Sequence, residues 1–226
     1  MAQKRSALRL LAAFAFSMLL LGALLFIPAG TLNWPEAWLL LAIFACYFAP
    51  AGLWLSKHRP EVIKKRTSLK MPVKSWDTAV VCFMSIALLA VLPVAALDAV
   101  AFHLSAVPLE AKALGFAGVA LSLAVLFLAI RENAFASRIV ELQKGQKVVS
   151  TGPYAIVRHP MYTAFGVMVV GIALALGSLY ALLPALLTVA GLAARTALED
   201  RELQKSLQGY KEYTKKTRYR LLPGVW

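Results

Sequence analysis

Apolar residues along this chain are gathered into long blocks that short polar segments separate. Each of the first four blocks is about 20 residues long, the length that a helix needs to cross a bilayer's hydrocarbon layer. The blocks run from about Ala7 to Ile27, Pro35 to Leu55, Trp76 to Leu97 and Ala111 to Ile130. We therefore predict four membrane-spanning helices. The first block is longer than the apolar core of a signal peptide and is predicted to be a retained span.

The last apolar block, from about Met161 to Ala194, is too long for a single span. Gly177 and Ser178 lie near its middle, and such a pair is typical of a turn. We predict a helical hairpin whose two helices turn at or inside the far face of the bilayer. The expected fold is an all-α, polytopic membrane protein with five to six membrane helices. We divide it into N-terminal spans (1–130) and a C-terminal region (131–226).

Composition and charge support this class and predict an orientation. The chain is 60% hydrophobic and 15% charged, whereas soluble domains have roughly 45–50% apolar and about 25% charged residues. Of 24 lysines and arginines, 23 lie at the N-terminus, in segments 56–75 and 131–160, or from Arg195 onward. Because basic residues near span ends stay in the cytoplasm, both termini and both basic loops are predicted to be cytoplasmic. The formal charge of +13 then reflects orientation and contact with anionic lipids, and it requires no nucleic acid.

Few residues inside the predicted spans could carry chemistry. Asp77 and Asp98 lie at span ends, where we expect water to reach them. Pumps and channels usually have charged side chains inside the membrane. Because the predicted spans contain few such side chains, a transport function is disfavoured. The three histidines have no metal-ligand spacing, and neither GxGxxG nor GxSxG occurs. Cys46 and Cys82 lie within apolar blocks and are predicted to be small core residues without a disulfide.

The residues that could form a site lie on both sides of the predicted hairpin. Before it stands GPYAIVRHPMY, residues 152–162, in which Pro160 suits the first turn of a helix. His159 would then lie near the N-cap with Arg158 beside it, and such a helix start suits a carboxylate or phosphate. On spacing alone an alternative stays open, in which the helix begins at the membrane interface and Arg158 and Tyr162 anchor headgroups.

After the hairpin, Arg195, Glu199 and Glu202 are spaced so that they share one helix face. The alternative here is an exposed helix laced with salt bridges. Because a hairpin returns the chain to the side that it left, we expect both polar stretches to form one cytoplasmic site. An acidic group would bind the cationic or hydroxylated part of the ligand there. Residues 210–226 form an aromatic and basic tail that suits the membrane interface.

Together these motifs resemble the isoprenylcysteine carboxyl methyltransferase family, which is similar to the membrane phospholipid methyltransferases. The resemblance rests on GPYxxVRHPxY, on Glu199-Asp200 one hairpin later, and on the closing GYxxYxxxxRYRLLPGVW. It is dense in motifs over about residues 145–226. Two positions depart from the family pattern. Ala164 stands where the family commonly has Gly, and Asp200 stands where a second Glu is common.

The resemblance implies a membrane-embedded enzyme that moves a methyl group from S-adenosylmethionine to a lipophilic acceptor. The cofactor would bind in a cytoplasm-facing pocket, and the acceptor would enter from the lipid. An isoprenylcysteine carboxylate, a thiol or a lipid amine could be that acceptor, with membrane lipids as further partners and no metal. Carried over by position, the implied catalytic residues are Arg158, Tyr162 and Glu199. The implied cofactor-binding residues are Tyr154, Arg158, His159, Pro160, Glu199 and Asp200.

Two other functions remain open at this point. The membrane sterol and steroid reductases, which use NADPH, resemble this family in their C-terminal region. The RHPMY string, with GPY ending eight residues before Tyr162, favours the methyl donor over NADPH. The second alternative is a non-enzymatic membrane protein whose basic tail binds lipid.

Overall fold

The computed structural model describes residues 2–61, 63, 75–135, 143 and 145–226. Within them the fold is all-helical and contains no strand, which confirms the predicted class. The helices are α1 (Ala2–Ala29), α2 (Pro35–His58), α3 (Ser75–Ala96), α4 (Leu109–Glu132), α5 (Pro160–Ala175), α6 (Leu182–Ser206) and α7 (Tyr210–Lys216). A π-helical turn, Leu97–Ala101, extends α3, and a short 3-10 helix, Gly152–Ala155, precedes α5.

Five of these helices are long and apolar enough to cross a membrane: α1, α2, α3 with its π-helical turn, α4 and α6. The 16-residue α5 is apolar but shorter. The predicted five to six membrane helices are therefore confirmed, and the chain has the make-up of a multi-pass membrane protein. Residues 64–74 and 136–142, which carry part of both basic loops, lie outside the described residues. The cytoplasmic placement of the loops and termini stays a prediction.

The predicted hairpin is present between α5 and α6. Gly177 has a φ of +81°, in the left-handed region that favours glycine. The carboxylate of Asp98 braces the turn by accepting hydrogen bonds from the Ser178 hydroxyl and the Tyr180 backbone N–H. The reversal brings the first turn of α5 beside the last turns of α6, where Tyr162 contacts Glu199.

Small residues allow the helices around the hairpin to pack closely. Gly115 of α4 lies against α5, and a Cβ built there would be 2.6 Å from the carbonyl oxygen of Gly171. On α6, a Cβ at Gly191 would overlap the side chain of Met84 on α3. Contact between small residues is a common way for membrane helices to associate. Helices α3 to α6 therefore form the framework that positions the polar site.

Two expectations about individual side chains are wrong. Asp77 and Asp98 are only 0% and 3% exposed, because α6 covers the first and the hairpin turn covers the second. Water was expected to reach both. Cys46 and Cys82 are free thiols on the exposed surface of the bundle and are not core residues. A small residue in an apolar block can face either the interior of the bundle or the lipid. Hydropathy alone does not distinguish these two positions.

Candidate active site

Local features fold the segment that leads into α5. Gly152 has a φ of +58°, which allows the chain to turn into the 3-10 helix. Pro160 occupies the first position of α5, where its missing N–H costs nothing, and His159 is the N-cap residue, as predicted. The Arg158 and His159 side chains are thereby directed toward α6, where both approach Asp200.

Asp200 is the centre of a buried polar cluster. Its side chain is fully buried on α6. Arg158 donates two hydrogen bonds to it, from Nε at 2.9 Å and from Nη2 at 3.1 Å. Its other partners are the Tyr210 hydroxyl at 2.9 Å, Gln204 Nε2 at 2.9 Å, Arg220 Nε at 3.1 Å and His159 Nε2 at 3.5 Å. Each carboxylate oxygen thus has three protein partners, which suits an ionised carboxylate in a buried place.

Arg158 joins this cluster to the C-terminal segment. Its Nη1 donates to the carbonyl oxygens of Thr217, at 2.9 Å, and Arg218, at 2.7 Å. Four of the five guanidinium N–H groups therefore donate to acceptors of the protein. The residue ties α5, α6 and the tail together, and among the residues that the structure describes the second N–H on Nη2 has no acceptor.

The tail folds back against the start of α5. The backbone N–H groups of Arg158 and His159 donate to the carbonyl oxygens of Tyr219 and Arg220, both at 2.9 Å. The Thr163 hydroxyl donates to the carbonyl oxygen of Leu221 at 2.7 Å. The sequence had suggested that an anion binds at this helix start. In the structure, carbonyl oxygens of the tail lie there and accept the N–H groups of Arg158 and His159. Arg220, in contact with Asp200, belongs to the cluster, and sequence reasoning had missed it.

Tyr162 and Glu199 form a second group beside the first. The Tyr162 hydroxyl donates to Glu199 Oε2 at 2.6 Å, and its ring stacks on the His159 ring with centroids 5.7 Å apart. Glu199 is half-buried. Among the described residues Tyr162 is its hydrogen-bond partner, so Oε1 can accept from a ligand. The guanidinium carbon of Arg195 lies 5.6 Å from the centre of the Tyr162 ring.

Arg195 is held by an ion pair with Asp77 on α3. Its Nε lies 3.0 Å from Asp77 Oδ1, and its Nη2 lies 3.5 Å from Oδ2. Arg195 is 7% exposed, and Asp200 is fully buried, so the alternative of an exposed, salt-bridged helix is wrong for both. Sequence reasoning missed Asp77. The two residues are 118 positions apart, and no local pattern links them.

Three tyrosines support the site from the surrounding segments. The buried Tyr154 receives a hydrogen bond on its hydroxyl from Asn133 Nδ2 at 3.2 Å, and its carbonyl accepts the Tyr213 hydroxyl at 2.6 Å. Burial raises the pKa of Tyr213 to about 12. Burial, together with the neighbouring Asp200 carboxylate, raises the pKa of Tyr210 well above its ordinary value. Both hydroxyls therefore remain protonated donors at neutral pH.

The structure brings the predicted residues into one region. Pairwise contacts connect five of them in the order Arg158, Asp200, His159, Tyr162 and Glu199, while Tyr154 and Pro160 shape the segment before and at the start of α5. Their roles in catalysis and cofactor binding stay predictions. Within the described ranges, no group of three or more histidine, cysteine, aspartate and glutamate residues is placed to hold a metal ion.

Fold and site together define a helical membrane protein with a buried polar cluster at the open end of a hairpin. Residues 111–209 match the family described as phospholipid methyltransferase. This region is therefore a phospholipid methyltransferase domain and belongs to the isoprenylcysteine carboxyl methyltransferase family, which confirms the resemblance found in the sequence. A comparison with curated proteins gives no match.

The matched region defines which parts of the site the family accounts for. It begins in α4 and ends just before α7, so it contains the hairpin, the RHPMY string and Glu199-Asp200. Asp77 and the tail that carries Arg220 lie outside it. The family supports a membrane methyltransferase, with a methyl donor and lipid-related substrates.

Proposed function

We propose that this protein transfers a methyl group from S-adenosylmethionine to a lipophilic acceptor at the cytoplasmic face of the membrane. One observation carries the proposal. The phospholipid methyltransferase domain, residues 111–209, contains the hairpin that presses the RHPMY segment against Glu199 and Asp200. The match favours methyl transfer over the reductase and the non-enzymatic alternatives.

The chemistry of the second group fits part of S-adenosylmethionine. Glu199 offers Oε1 as an acceptor for the cofactor's ammonium or ribose hydroxyls, and its other oxygen is fixed by Tyr162. The stacked rings of His159 and Tyr162 offer an aromatic surface beside that carboxylate. We assign these three residues to contact with the ligand. Of the three, we assign Tyr162 and Glu199 to the part of the site where the methyl group is transferred.

Arg158 and Asp200 are assigned a different task, because their polar groups are nearly all engaged with the protein. Asp200 fixes Arg158 and approaches His159, while Arg158 holds the tail against the start of α5. Arg158 reaches the cofactor with its remaining Nη2 N–H. Tyr154 and Pro160 set the path of the backbone around the cofactor. Hydrogen bonds from such supporting residues hold the side chains that contact the ligand in the geometry that the reaction needs.

Methyl transfer depends mainly on the alignment of the methyl donor with the acceptor. S-adenosylmethionine, held by Glu199 and the His159 and Tyr162 rings, would supply an electrophilic methyl carbon on a sulfonium, with a neutral thioether as the leaving group. The residues of the chain need only hold donor and acceptor in register and exclude water. A Glu199 carboxylate fixed at 2.6 Å by a partly buried tyrosine suits that purpose.

The acceptor class can be tested with methyl-labelled S-adenosylmethionine and the purified protein in lipid. Three acceptors are offered separately: an S-prenylated cysteine derivative with a free carboxylate, a long-chain alkyl thiol and phosphatidylethanolamine. We expect label in the organic phase with at least one of them. Base releases the label as volatile methanol only from a carboxylate methyl ester, whereas a methyl thioether and an N-methylated headgroup keep the label in a non-volatile product. Folded protein that labels none of the three would contradict the proposal.

A further inference from the structure

The ion pair between Asp77 and Arg195 joins an N-terminal span to the site. Both side chains are at least nine-tenths buried, at 0% and 7% exposure. A buried ion pair is weak evidence for a stabilising role, because the loss of hydration offsets most of the attraction and apolar replacements are often equally stable. The pair therefore invites an explanation in terms of what it positions.

The contacts of Arg195 lead from this pair to the proposed ligand contact. The Asp77 carboxylate holds Arg195 Nε at 3.0 Å, and the guanidinium lies 5.6 Å from the centre of the Tyr162 ring. A cation at this distance is attracted to the face of a tyrosine. The Tyr162 hydroxyl in turn donates to Glu199 Oε2 at 2.6 Å. Four residues from three helices thus form one connected series that ends on Glu199.

The packing of α3 on α6 places Asp77 at the start of this series. Gly191 and Arg195 are four residues apart and share a face of α6. The absent side chain at Gly191 leaves the space that Met84 of α3 fills. The close approach lets the short Asp77 side chain reach Arg195 from the first turn of α3.

We propose that Asp77 is a positioning residue of the site, acting through Arg195 and Tyr162 on the orientation of Glu199. This inference rests on the proposed function, in which Glu199 contacts the cofactor. It extends the functional unit beyond the matched domain at 111–209 and beyond the C-terminal region 131–226. The N-terminal helices then include part of the cofactor-binding machinery.

The first test is the affinity of Asp77→Asn for S-adenosylhomocysteine, measured by calorimetry in detergent. The variant keeps the shape of the side chain and removes its charge. We expect binding to weaken about tenfold, which lies within the range of interaction energies between residues of one connected network. Asp98→Asn is the control, because it neutralises another buried aspartate, which lies at the hairpin turn and, among the described residues, contacts neither Arg195 nor Tyr162. Equal losses in both variants would show that loss of any buried carboxylate weakens binding and would overturn the inference.

A double-mutant cycle tests the path. If Asp77 acts through Glu199, Asp77→Asn changes affinity much less in a Glu199→Gln background than in the wild type. Losses that simply multiply would show that the two residues act independently, and would contradict the proposed path.

A neutral pair keeps the inference testable if Asp77→Asn leaves Arg195 uncompensated and fails to fold. Asp77→Val combined with Arg195→Met removes both charges, and we expect a folded protein with weakened binding. Wild-type affinity in that double variant would refute the positioning role alone. Wild-type protein that binds neither S-adenosylmethionine nor S-adenosylhomocysteine would instead refute the proposed function, and the inference with it.

Discussion

Glu199 and Asp200 are neighbours on α6 with opposite surroundings. Successive residues on a helix point about 100° apart, so one carboxylate faces Tyr162 and the other faces Arg158. Glu199 is half-buried, and within the described ranges one of its oxygens has no protein partner, whereas Asp200 is fully buried with both oxygens occupied. The acidic pair therefore divides into a residue that can contact a ligand and a residue that holds the site together.

Glu199→Gln is expected to weaken S-adenosylmethionine binding without unfolding the protein. The change keeps the side chain's shape but removes a charge-assisted hydrogen bond, worth roughly 1.5–3 kcal/mol. Calorimetric affinity and label transfer at fixed cofactor concentration measure the effect. Glu202→Gln, the same change one turn further along α6, serves as the control and should leave both unchanged. Equal effects from the two variants would contradict the assignment of Glu199.

Asp200→Asn is expected to act on stability first. Removing this charge leaves the Arg158 guanidinium buried without its counterion, and breaking a buried pair costs about 3–5 kcal/mol. Thermal unfolding in detergent should therefore show a clearly lower midpoint for Asp200→Asn than for Glu199→Gln. A wild-type midpoint for Asp200→Asn would show that the cluster does not depend on this charge.

That most of these residues would meet at the candidate site was predictable, but their individual partners were not. The RHPMY string and Glu199-Asp200 are local patterns, and their order around a hairpin indicated that they meet. The pairing of Asp77 with Arg195 connects separate helices, so no periodicity reveals it. Asp200 and Glu199 looked alike in the sequence, because the side of α6 that each faces depends on how the tail and α5 pack.

At the scale of elements, the contact between α4 and α5 depends on glycine. The two backbones approach so closely that a Cβ at Gly115 would lie 2.6 Å from the Gly171 carbonyl oxygen. We expect Gly115→Ala to separate the helices and to cost about 1–3 kcal/mol, the usual range for overpacking. Thermal unfolding measures the effect.

Gly118→Ala is the matched control, because its new Cβ would meet only Val167 at an ordinary 3.7 Å. It should be neutral or slightly stabilising, since alanine favours helix by about 0.5–1 kcal/mol over glycine. Equal destabilisation by the two changes would show that the loss of a glycine anywhere on α4, and not close contact at Gly115, controls stability.

Hydropathy predicted the five long helices well, because each contains an apolar run far longer than any turn or loop segment would be. The fold of the tail was not predictable in the same way. An aromatic and basic segment suits a membrane interface, and it suits equally well a segment that docks on other parts of the protein. The docking here uses carbonyl oxygens of Tyr219, Arg220 and Leu221, and backbone acceptors leave no trace in the sequence.

At the scale of the whole molecule, the positions of the basic residues predict its orientation. With Cys46 and Cys82 first replaced by alanine, a cysteine at the exposed position 205 on α6 should be labelled only from the cytoplasm. A cysteine at the exposed position 110, at the start of α4, should be labelled only from the opposite side. Labelling of position 205 by an impermeant reagent outside intact cells would invert the orientation and place the site on the wrong face.

The proposed methyl donor is tested most directly by a calorimetric titration of the purified, detergent-solubilised protein with S-adenosylhomocysteine and, separately, with NADPH. We expect saturable binding of S-adenosylhomocysteine to one site per chain and no binding of NADPH. The Glu199→Gln variant, which alters the proposed contact, should bind S-adenosylhomocysteine more weakly in the same titration. Saturable binding of NADPH alone would contradict a methyltransferase function and would favour a reductase.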